Sequence, residues 1–223
     1  MRTITKQKRK NRLLQDSSMR QLFFIRHGET DNNKAGIIQG RSIDAPINDA
    51  GRKQADAIRE ALRPFEIHRV VASGLRRTQE TIEPLAKERK LKVEKYPELD
   101  EINFGVLEGQ SFKEIQGDVM EVHEQWKSGN IQFAPTNGES PQQVFDRANA
   151  KVSEVLGTSG DENIVFMIHG RLTRILLSEW LGYGLKNMHK IEHQNGAINH
   201  LIWKEGSFEA IELNMTDHLA EFV

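Results

Sequence analysis

Three short, unbroken runs of apolar residues constrain the fold of this chain more than any other feature of its sequence. They occupy residues 22–25 (Leu-Phe-Phe-Ile), 70–72 (Val-Val-Ala) and 164–168 (Ile-Val-Phe-Met-Ile). A strand with one face in water alternates apolar and polar residues, whereas an unbroken run requires burial of both faces. These runs therefore predict the central strands of a sheet that is covered by helices on both sides.

The segments between these runs have the spacing of amphipathic helices. Residues 49–62 place Ile58 and Leu62 on one face, after an N-cap at Asn48 or Asp49. The other predicted elements are helices over residues 78–90, 111–127, 141–156 and 172–181, a strand over 91–95, and a hairpin over 197–203 and 208–213. The alternation predicts an α/β fold: a largely parallel sheet flanked by helices, with a helical insertion and a C-terminal β-hairpin.

The charge distribution divides the chain into a tail and a body. Residues 1–21 hold seven Lys or Arg residues and one acidic residue, giving +6, so the net charge of −1 leaves −7 for the rest. Like-charge blocks are usually disordered, and we predict a disordered tail over 1–21, or an upstream extension before a start at Met19. One domain is predicted over residues 22–223, whose length suffices for one substantial core.

Composition excludes several classes of protein. The longest apolar run of the tail is Leu13-Leu14, too short for a signal peptide or a membrane span. The acidic body lacks the clustered cations that nucleic acid requires, so we expect neither a nucleic-acid nor a membrane partner. The chain contains no cysteine, which rules out disulfides and a thiolate nucleophile and fits a reducing, cytoplasmic location.

Unusual polar residues follow the three apolar runs. The first run is followed by Arg26, His27, Gly28, Glu29 and Thr30, and the second run is followed by residues 73–78 (Ser-Gly-Leu-Arg-Arg-Thr). The third run is followed by His169, Gly170 and Arg171, and Glu101 lies between the second and third runs in the chain. In open α/β sheets, ligands bind beyond the carboxyl ends of the strands, so these residues are expected to meet.

Two histidines, arginines and a carboxylate suit phosphoryl transfer. A neutral imidazole can attack phosphorus and form a phosphoenzyme, arginine forks bind the phosphoryl oxygens, and an acid can protonate the departing alcohol. Side-chain cations can neutralise the charge without a metal ion. The residues alone do not choose between His27 and His169 as the nucleophile.

The chain resembles the histidine phosphatase superfamily, in its phosphoglycerate-mutase-like branch. The resemblance runs from Leu22 to about Trp203. It rests on residues 26–30 (Arg-His-Gly-Glu-Thr), Asn33, residues 38–40 (Ile-Gln-Gly), Gly51 with Gln54 and Ala55, Ser73, Leu75 and Arg77, Glu101 with Gly105, Glu108 and Gly109, residues 138–140 (Gly-Glu-Ser), and His169 with Gly170.

The resemblance implies a role for each matching residue. His27 is expected to be the phosphorylated nucleophile and Glu101 the general acid and base. Arg26, Arg77 and His169 are expected to hold the phosphoryl group of a small phosphorylated substrate. The residues expected to line the phosphate pocket are Asn33, Gln39, Gly40 and Gly170. No cofactor and no metal ion are expected, and no oligomeric state is predicted.

Departures from the mutase pattern favour a phosphatase. Mutases of this family place an arginine after the catalytic glutamate and a Gly-Trp pair near the substrate loop. Here Ile102 follows Glu101, and Gln39, Gly40 and Arg41 stand where the Gly-Trp pair would lie. Water is therefore the expected phosphoryl acceptor. The alternatives are a phosphoglycerate-type mutase and a non-catalytic member that binds a phosphorylated ligand or partner.

Three further features leave alternatives open. Arg171 stands where a small residue is common, and either lies near an anionic substrate or projects into solvent. Phe112, Trp126 and Phe133, in the insertion at about 111–141, either line the substrate pocket or pack the insertion onto the core. The four-residue spacing of His189 and His193 resembles a zinc motif, but a lysine stands where a zinc protease has its glutamate and no third ligand is evident. Surface or loop histidines are expected there, and also at His68, His123, His200 and His218.

Overall fold

The computed structural model describes residues 19–160, 163–192 and 194–222. In this part of the chain the strands are β1 (Arg20–Arg26), β2 (Arg69–Ser73), β3 (Val93–Tyr96), β4 (Ile164–Ile168), β5 (Ile198–Lys204) and β6 (Ser207–Met215). The α-helices are α1 (Asp31–Ala35), α2 (Asp49–Ala61), α3 (Arg76–Arg89), α4 (Gln116–Lys127), α5 (Pro141–Gly157) and α6 (Gly170–Trp180). Short 3-10 helices cover Pro97–Leu99, Gly105–Leu107, Leu185–Lys190 and Asp217–Phe222.

The strands form one mixed sheet in the order β3-β2-β4-β1-β5-β6. The pairs β3/β2, β2/β4 and β4/β1 are parallel, whereas β1/β5 and β5/β6 are antiparallel. Strand β4 thus lies between β1 and β2, with Arg26 paired to Ile168 and Ala72 paired to Met167. The fold class predicted from the sequence is confirmed, including the C-terminal hairpin.

The central strands bury both faces, as their unbroken apolar runs predict. Leu22 and Phe24 point into a core that α4, α5 and α6 cover, and Trp126 of α4 is part of it. Phe23 and Ile25 point into a second core that α2 and α3 cover. Because successive side chains of a strand alternate between faces, both layers of helices are needed to bury this strand.

The first strand begins earlier than predicted. Arg20 and Gln21 belong to β1 and not to the tail, because they continue the pairing with β5 opposite Trp203 and Ile202. The guanidinium of Arg20 also lies 4.5 Å from the centre of the Trp203 ring. Residues 1–18 of the predicted tail lie outside the described residues. None of the helices in the described ranges is long and apolar enough to cross a membrane.

The predicted helix over residues 111–127 was wrong in its first part, because α4 begins only at Gln116. Ser111 instead pairs with Ile37 in an isolated antiparallel bridge, and the Phe112 amide donates to the Gly36 carbonyl. These long-range backbone hydrogen bonds hold the segment against the loop that precedes Gln39. Tertiary contacts here override the helical period of the sequence.

The parallel pairing brings three strand ends to one edge of the sheet. Strand β1 ends at Arg26, directly before His27; β2 ends at Ser73; and β4 ends at Ile168, directly before His169. His169 therefore emerges between the other two strand ends, with His27 on one side and Ser73 on the other. The fold alone thus assembles residues that are more than 140 positions apart in the chain.

A contact between two glycines fixes the turn after β1 against the start of α2. A Cβ atom on Gly28 would lie 2.7 Å from the carbonyl oxygen of Gly51 and 2.9 Å from its Cα atom. We expect Gly28→Ala to lower the free energy of unfolding by about 1–3 kcal/mol, because backbone atoms would have to separate. Urea denaturation would measure this change.

A matched substitution is available in the same chain. A Cβ atom on Gly117, near the start of α4, would meet no atom within 4 Å. Gly117→Ala is therefore expected to be neutral or stabilising, because alanine favours helix more than glycine does. Equal destabilisation by the two substitutions would contradict the steric argument for Gly28.

Candidate active site

The two predicted catalytic histidines lie side by side at the edge of the sheet. The ring centres of His27 and His169 are 5.2 Å apart, and the rings meet edge to face. Both side chains are buried. The His27 amide donates to the Ile168 carbonyl over 3.0 Å, which links the turn after β1 to the end of β4.

The tautomer of His27 follows from its own turn. Its Nδ1 atom lies 2.7 Å from the carbonyl oxygen of Gly28, which can only accept a hydrogen bond. Nδ1 therefore carries the proton of the neutral ring, and the basic lone pair is on Nε2. An imidazole in this tautomer is suited to nucleophilic attack through Nε2.

His169 is held by a chain of hydrogen bonds whose directions are all determined. The guanidinium of Arg77 can only donate, so its Nε–H donates to Nδ1 of His169 over 3.2 Å. Nε2 of His169 therefore carries the proton and donates to Oγ of Ser73 over 2.7 Å. Burial, together with the charge of Arg77, holds the pKa of His169 well below its usual range, so the ring is neutral.

Arg77 connects His169 to the loop that carries Gln39 and Gly40. Its Nη1 donates to the Ile43 carbonyl over 2.7 Å, and its Nη2 donates to the Gly40 carbonyl over 3.1 Å. A Cβ atom on Gly40 would lie 2.6 Å from the Ile102 carbonyl and even closer to the side chain of Glu108. Only glycine fits where this loop crosses the segment that follows Glu101.

Arg26 brings a second guanidinium into the same region. Burial, opposed by the charge of Glu101 and reinforced by the charges of Arg174 and Arg77, lowers the pKa of Arg26 to about 10. Burial also lowers the pKa of Arg77, again against the effect of Glu101. Both arginines stay charged at neutral pH, so the site concentrates positive charge in an otherwise acidic body.

Glu101 lies at the beginning of the helix that follows His169. Its Oε1 accepts from the amides of Ile102 and Leu172 over 3.0 and 2.9 Å, and its Oε2 accepts from the Arg171 amide over 2.9 Å. Three backbone donors thus fix the carboxylate, two of them from the first turn of α6. This position, beside the cationic pair, allows proton transfer to a group bound there.

The remaining predicted pocket residues lie in the segment that follows His27, which includes α1, and at the start of α6. Oδ1 of Asn33 accepts from the Thr30 amide and from Nδ2 of Asn195, and Nδ2 of Asn195 also donates to the His27 carbonyl. Oε1 of Gln39 accepts from Nδ2 of Asn32 over 3.0 Å. Gly170 is the first residue of α6 and is buried beside His169. The structure thus brings all nine predicted site residues to one region.

Arg147 is a part of this region that sequence reasoning missed. From α5 it donates to the carbonyls of Glu98, Asp100 and Glu101 and forms a two-pronged ion pair with Glu139. Glu139 also accepts from the Asn103 amide. The pair fixes the backbone on both sides of Glu101. Residues 138–140 carried part of the resemblance without a role, and this contact supplies one.

The residues of the insertion differ in whether they pack onto the core or line a cavity. Trp126 is buried and donates from Nε1 to the Phe133 carbonyl, so this part of the insertion packs onto the core. Phe112 and Arg171 line a cavity instead. The expectation that Arg171 could project into solvent is wrong, because its side chain is partly buried and contacts His123.

The other histidines differ in their environments. His189 is exposed on the 3-10 helix, as expected, whereas His193 lies outside the described residues. The expectation of a surface position was wrong for His200, which is buried in β5 against Phe23. Within the described ranges, no three His, Asp or Glu side chains lie close enough together to hold a metal ion.

The environment of His123 predicts a pH dependence of stability. Burial, followed by the charges of Arg171 and Lys127, lowers its pKa to about 4, against about 6.5 in an unfolded chain. Between these values the unfolded chain binds a proton that the folded protein does not, so the free energy of unfolding falls as the pH is lowered through 6.5. Urea denaturation at pH 7 and pH 5 would measure how far the free energy of unfolding falls between these two pH values. We expect this fall to be smaller in His123→Gln than in wild type, by on the order of 1 kcal/mol. Equal losses would contradict this assignment.

The sheet and the site together define a class of α/β proteins that gather two histidines, two arginines and a glutamate at one sheet edge. The family model described as the histidine phosphatase superfamily (branch 1) matches residues 22–216. The chain belongs to this superfamily, and the resemblance stated from its motifs is confirmed.

Relatives within the superfamily have two kinds of name. A protein of Yersinia enterocolitica named "Probable phosphoglycerate mutase GpmB" is 29% identical over 192 residues, covering 86% of this chain and 89% of that protein. A mycobacterial glucosyl-3-phosphoglycerate phosphatase in complex with VO3 is 27% identical, with a TM-score of 0.78 and coverage of 87% and 98%. An alpha-ribazole phosphatase from Shigella flexneri is also 27% identical, with a TM-score of 0.74 and coverage of 87% and 96%.

Proposed function

We propose that this protein is a phosphatase that hydrolyses small phosphomonoesters through a phosphohistidine on His27. The observation that carries the proposal is the hydrogen bond from Nδ1 of His27 to the Gly28 carbonyl, beside the buried pair of His169 and Arg77. This bond directs the nucleophilic lone pair to Nε2, next to fixed cationic groups. Membership of the superfamily supports the proposal, as do the phosphatases among the related structures.

In the first proposed step, Nε2 of His27 forms a bond to phosphorus and the bond from phosphorus to the ester oxygen breaks. Glu101 gives its proton to the departing oxygen, so an alcohol leaves. Arg26, Arg77 and His169 hold the phosphoryl oxygens, and Asn33, Gln39, Gly40 and Gly170 line the pocket around them. Charge-assisted hydrogen bonds of this kind stabilise the charge that develops on the phosphoryl group.

In the second proposed step, a water molecule attacks the phosphorus of phosphohistidine. Glu101, now ionised, takes a proton from that water, and the bond between phosphorus and Nε2 breaks to release phosphate. The three backbone amides that bind Glu101 keep its oxygens in place for both transfers. In this scheme the arginines supply the positive charge, and we propose that no metal ion takes part, so turnover should persist in excess EDTA.

A mutase that moves a phosphoryl group within one molecule is the second candidate, supported by the name of the Yersinia relatives. Two positions favour the phosphatase. Ile102, where the resemblance leads us to expect an arginine in a mutase, is a buried core residue. Arg41 donates to the Pro97 carbonyl and pairs with Asp100 over 3.4 Å, so it belongs to the loop that supports Glu101. Release of phosphate from 3-phosphoglycerate, rather than its isomerisation, would decide for the phosphatase.

The proposal is tested by trapping the phosphoenzyme. The protein is mixed with a phosphomonoester, quenched in alkali and analysed by mass spectrometry, because phosphohistidine is stable to base and labile to acid. We expect a phosphoryl group on the peptide that contains His27. Its absence during active turnover would contradict the proposal. Binding of a phosphorylated ligand without any phosphate release would instead identify a non-catalytic member.

A further inference from the structure

A cavity of about 220 Å³ lies beside Glu101, outside the set of residues that the proposed chemistry uses. Six apolar side chains and two polar ones, His123 and Arg171, line it. The apolar wall includes Phe104 and Phe112 and the α4 residue Val122. An apolar cavity of about 150 Å³ is enough to hold benzene, so this one accommodates a ring with a substituent.

The cavity and the candidate active site are built from neighbouring residues of the same backbone segments. The amide of Arg171 donates to Oε2 of Glu101 over 2.9 Å, while the side chain of Arg171 lines the cavity. Phe104 lies three residues after Glu101, and Ile38 of the cavity wall directly precedes Gln39. An alcohol that departs toward Glu101 therefore has this cavity next to it.

The side chain of Arg171 is held on two sides. Its Nη2 lies 2.8 Å from Nε2 of His123, which must be the acceptor because guanidinium only donates. Its central carbon lies 5.4 Å from the centre of the Trp126 ring. A histidine that accepts from Arg171 is neutral, in agreement with its lowered pKa. The guanidinium is thus fixed in position by two uncharged groups.

No acidic side chain of the described residues pairs with this cation. Arg69 and Arg147 each bind a carboxylate, Glu94 and Glu139 respectively, whereas no carboxylate of the described ranges is within ion-pair distance of Arg171. Arg174, one turn later on α6, is equally without an ion pair there. Its Nε is buried and has no hydrogen-bond partner among the residues that the structure describes.

The single negative charge of Glu101 cannot neutralise all the arginines on which it acts. Its charge acts on Arg26, Arg77, Arg171 and Arg174 alike. A phosphoryl group would balance the first two of these arginines, and Glu192 also acts on Arg174, whereas Glu101 is the acidic neighbour of Arg171. A partly buried cation without an anionic partner is costly, and the cost is recovered when an anion binds. Arg171, unlike Arg174, lies at the wall of the apolar cavity.

We propose that this cavity binds the alcohol part of the substrate, and that Arg171 binds a carboxylate carried by that part. The inference rests on the proposed function and specifies its substrate class: a phosphomonoester whose alcohol has a small apolar body, such as one ring, and a carboxylate at the far end. The apolar wall binds the ring, and the guanidinium fork binds the carboxylate oxygens. Arg171 is then a specificity residue and not a catalytic one.

The experiment uses three phosphonates, which cannot be hydrolysed, and measures their dissociation constants by calorimetry. Methylphosphonate tests the phosphoryl pocket, benzylphosphonate adds the ring, and 4-carboxybenzylphosphonate adds the carboxylate. We expect each addition to tighten binding to the wild-type protein, the carboxylate by about tenfold or more. Arg171→Gln should abolish the gain from the carboxylate and keep most of the gain from the ring.

Two further variants make the result specific. Lys127→Gln removes one positive charge from an exposed residue of α4 that does not line this cavity, and it should keep the full gain from the carboxylate. Arg171→Met keeps an apolar side chain against Trp126, and it replaces Arg171→Gln if thermal unfolding shows that the latter is not folded. Both Arg171 variants should bind methylphosphonate as wild type does.

Several outcomes would overturn the inference. If wild type bound benzylphosphonate and 4-carboxybenzylphosphonate equally well, the proposed carboxylate subsite would be contradicted. If it bound methylphosphonate and benzylphosphonate equally well, the proposed ring subsite would be contradicted. A gain from the carboxylate that survives in the Arg171 variants would assign it to another residue. The proposed function is tested separately by the phosphohistidine trap, so a failure of the chemistry and a failure of this subsite give different results.

Discussion

Replacing His27 with glutamine is expected to lower the turnover of p-nitrophenyl phosphate by at least about 10³-fold and to abolish the trapped phosphoenzyme, because the side chain that forms the covalent intermediate is lost. Glutamine is chosen because it is neutral and polar, cannot form the covalent intermediate, and leaves the backbone hydrogen bond from the His27 amide to the Ile168 carbonyl in place. The turn after β1 should therefore persist, and the loss should be in kcat with little change in the unfolding midpoint.

His189→Gln is the matched control for this experiment. His189 is exposed on the 3-10 helix Leu185–Lys190, and its Nδ1 lies 3.1 Å from a backbone carbonyl, as that of His27 does at 2.7 Å. The same change at this position should leave turnover unaltered. Full turnover by His27→Gln would overturn the proposed mechanism, and loss of phosphoenzyme in both variants would point to a defect of folding.

The fold was predictable because its main signals are local. The unbroken apolar runs of β1, β2 and β4 indicate strands buried on both faces, and the helices between them follow from a period of three to four residues. Once the strands are parallel, their carboxyl ends must share one edge. The meeting of His27, Ser73 and His169 then follows from topology, without knowledge of any side-chain contact.

The contacts that orient the site were not predictable, because they join residues far apart in the chain by specific geometry. Arg147 on α5 reaches the carbonyl of Glu101, 46 positions earlier, and Arg171 reaches His123, 48 positions earlier. An arginine on a helix is as compatible with solvent as with such a contact. The tautomer of His169 likewise depends on Arg77 and Ser73, whose distances from the ring only the folded chain defines.

Replacing Glu101 with glutamine is expected to slow turnover by an amount that depends on the leaving group. Alkyl phosphates release a basic alkoxide that needs a proton, so their kcat/KM should fall by about 10²–10⁴-fold. The p-nitrophenolate ion is stable without a proton, so its departure should be slowed far less. The second step, in which water is deprotonated, should become slower for every substrate, and phosphoenzyme should accumulate with p-nitrophenyl phosphate.

The structural cost of this substitution has to be separated from its chemical effect. Glu101 accepts three backbone amides, and an amide group in its place would set an N–H donor against one of them, at a cost of about 1–3 kcal/mol. Glu108→Gln is the matched control, because Glu108 also accepts from two backbone amides, those of Phe104 and Ser42, in the same region. Both variants should lose stability in urea denaturation. Only Glu101→Gln should discriminate between alkyl and p-nitrophenyl phosphates in kcat/KM, which reports the step in which the alcohol departs. Equal losses of kcat/KM on both substrates would remove Glu101 from the protonation of the leaving group and leave it as the carboxylate that holds the start of α6.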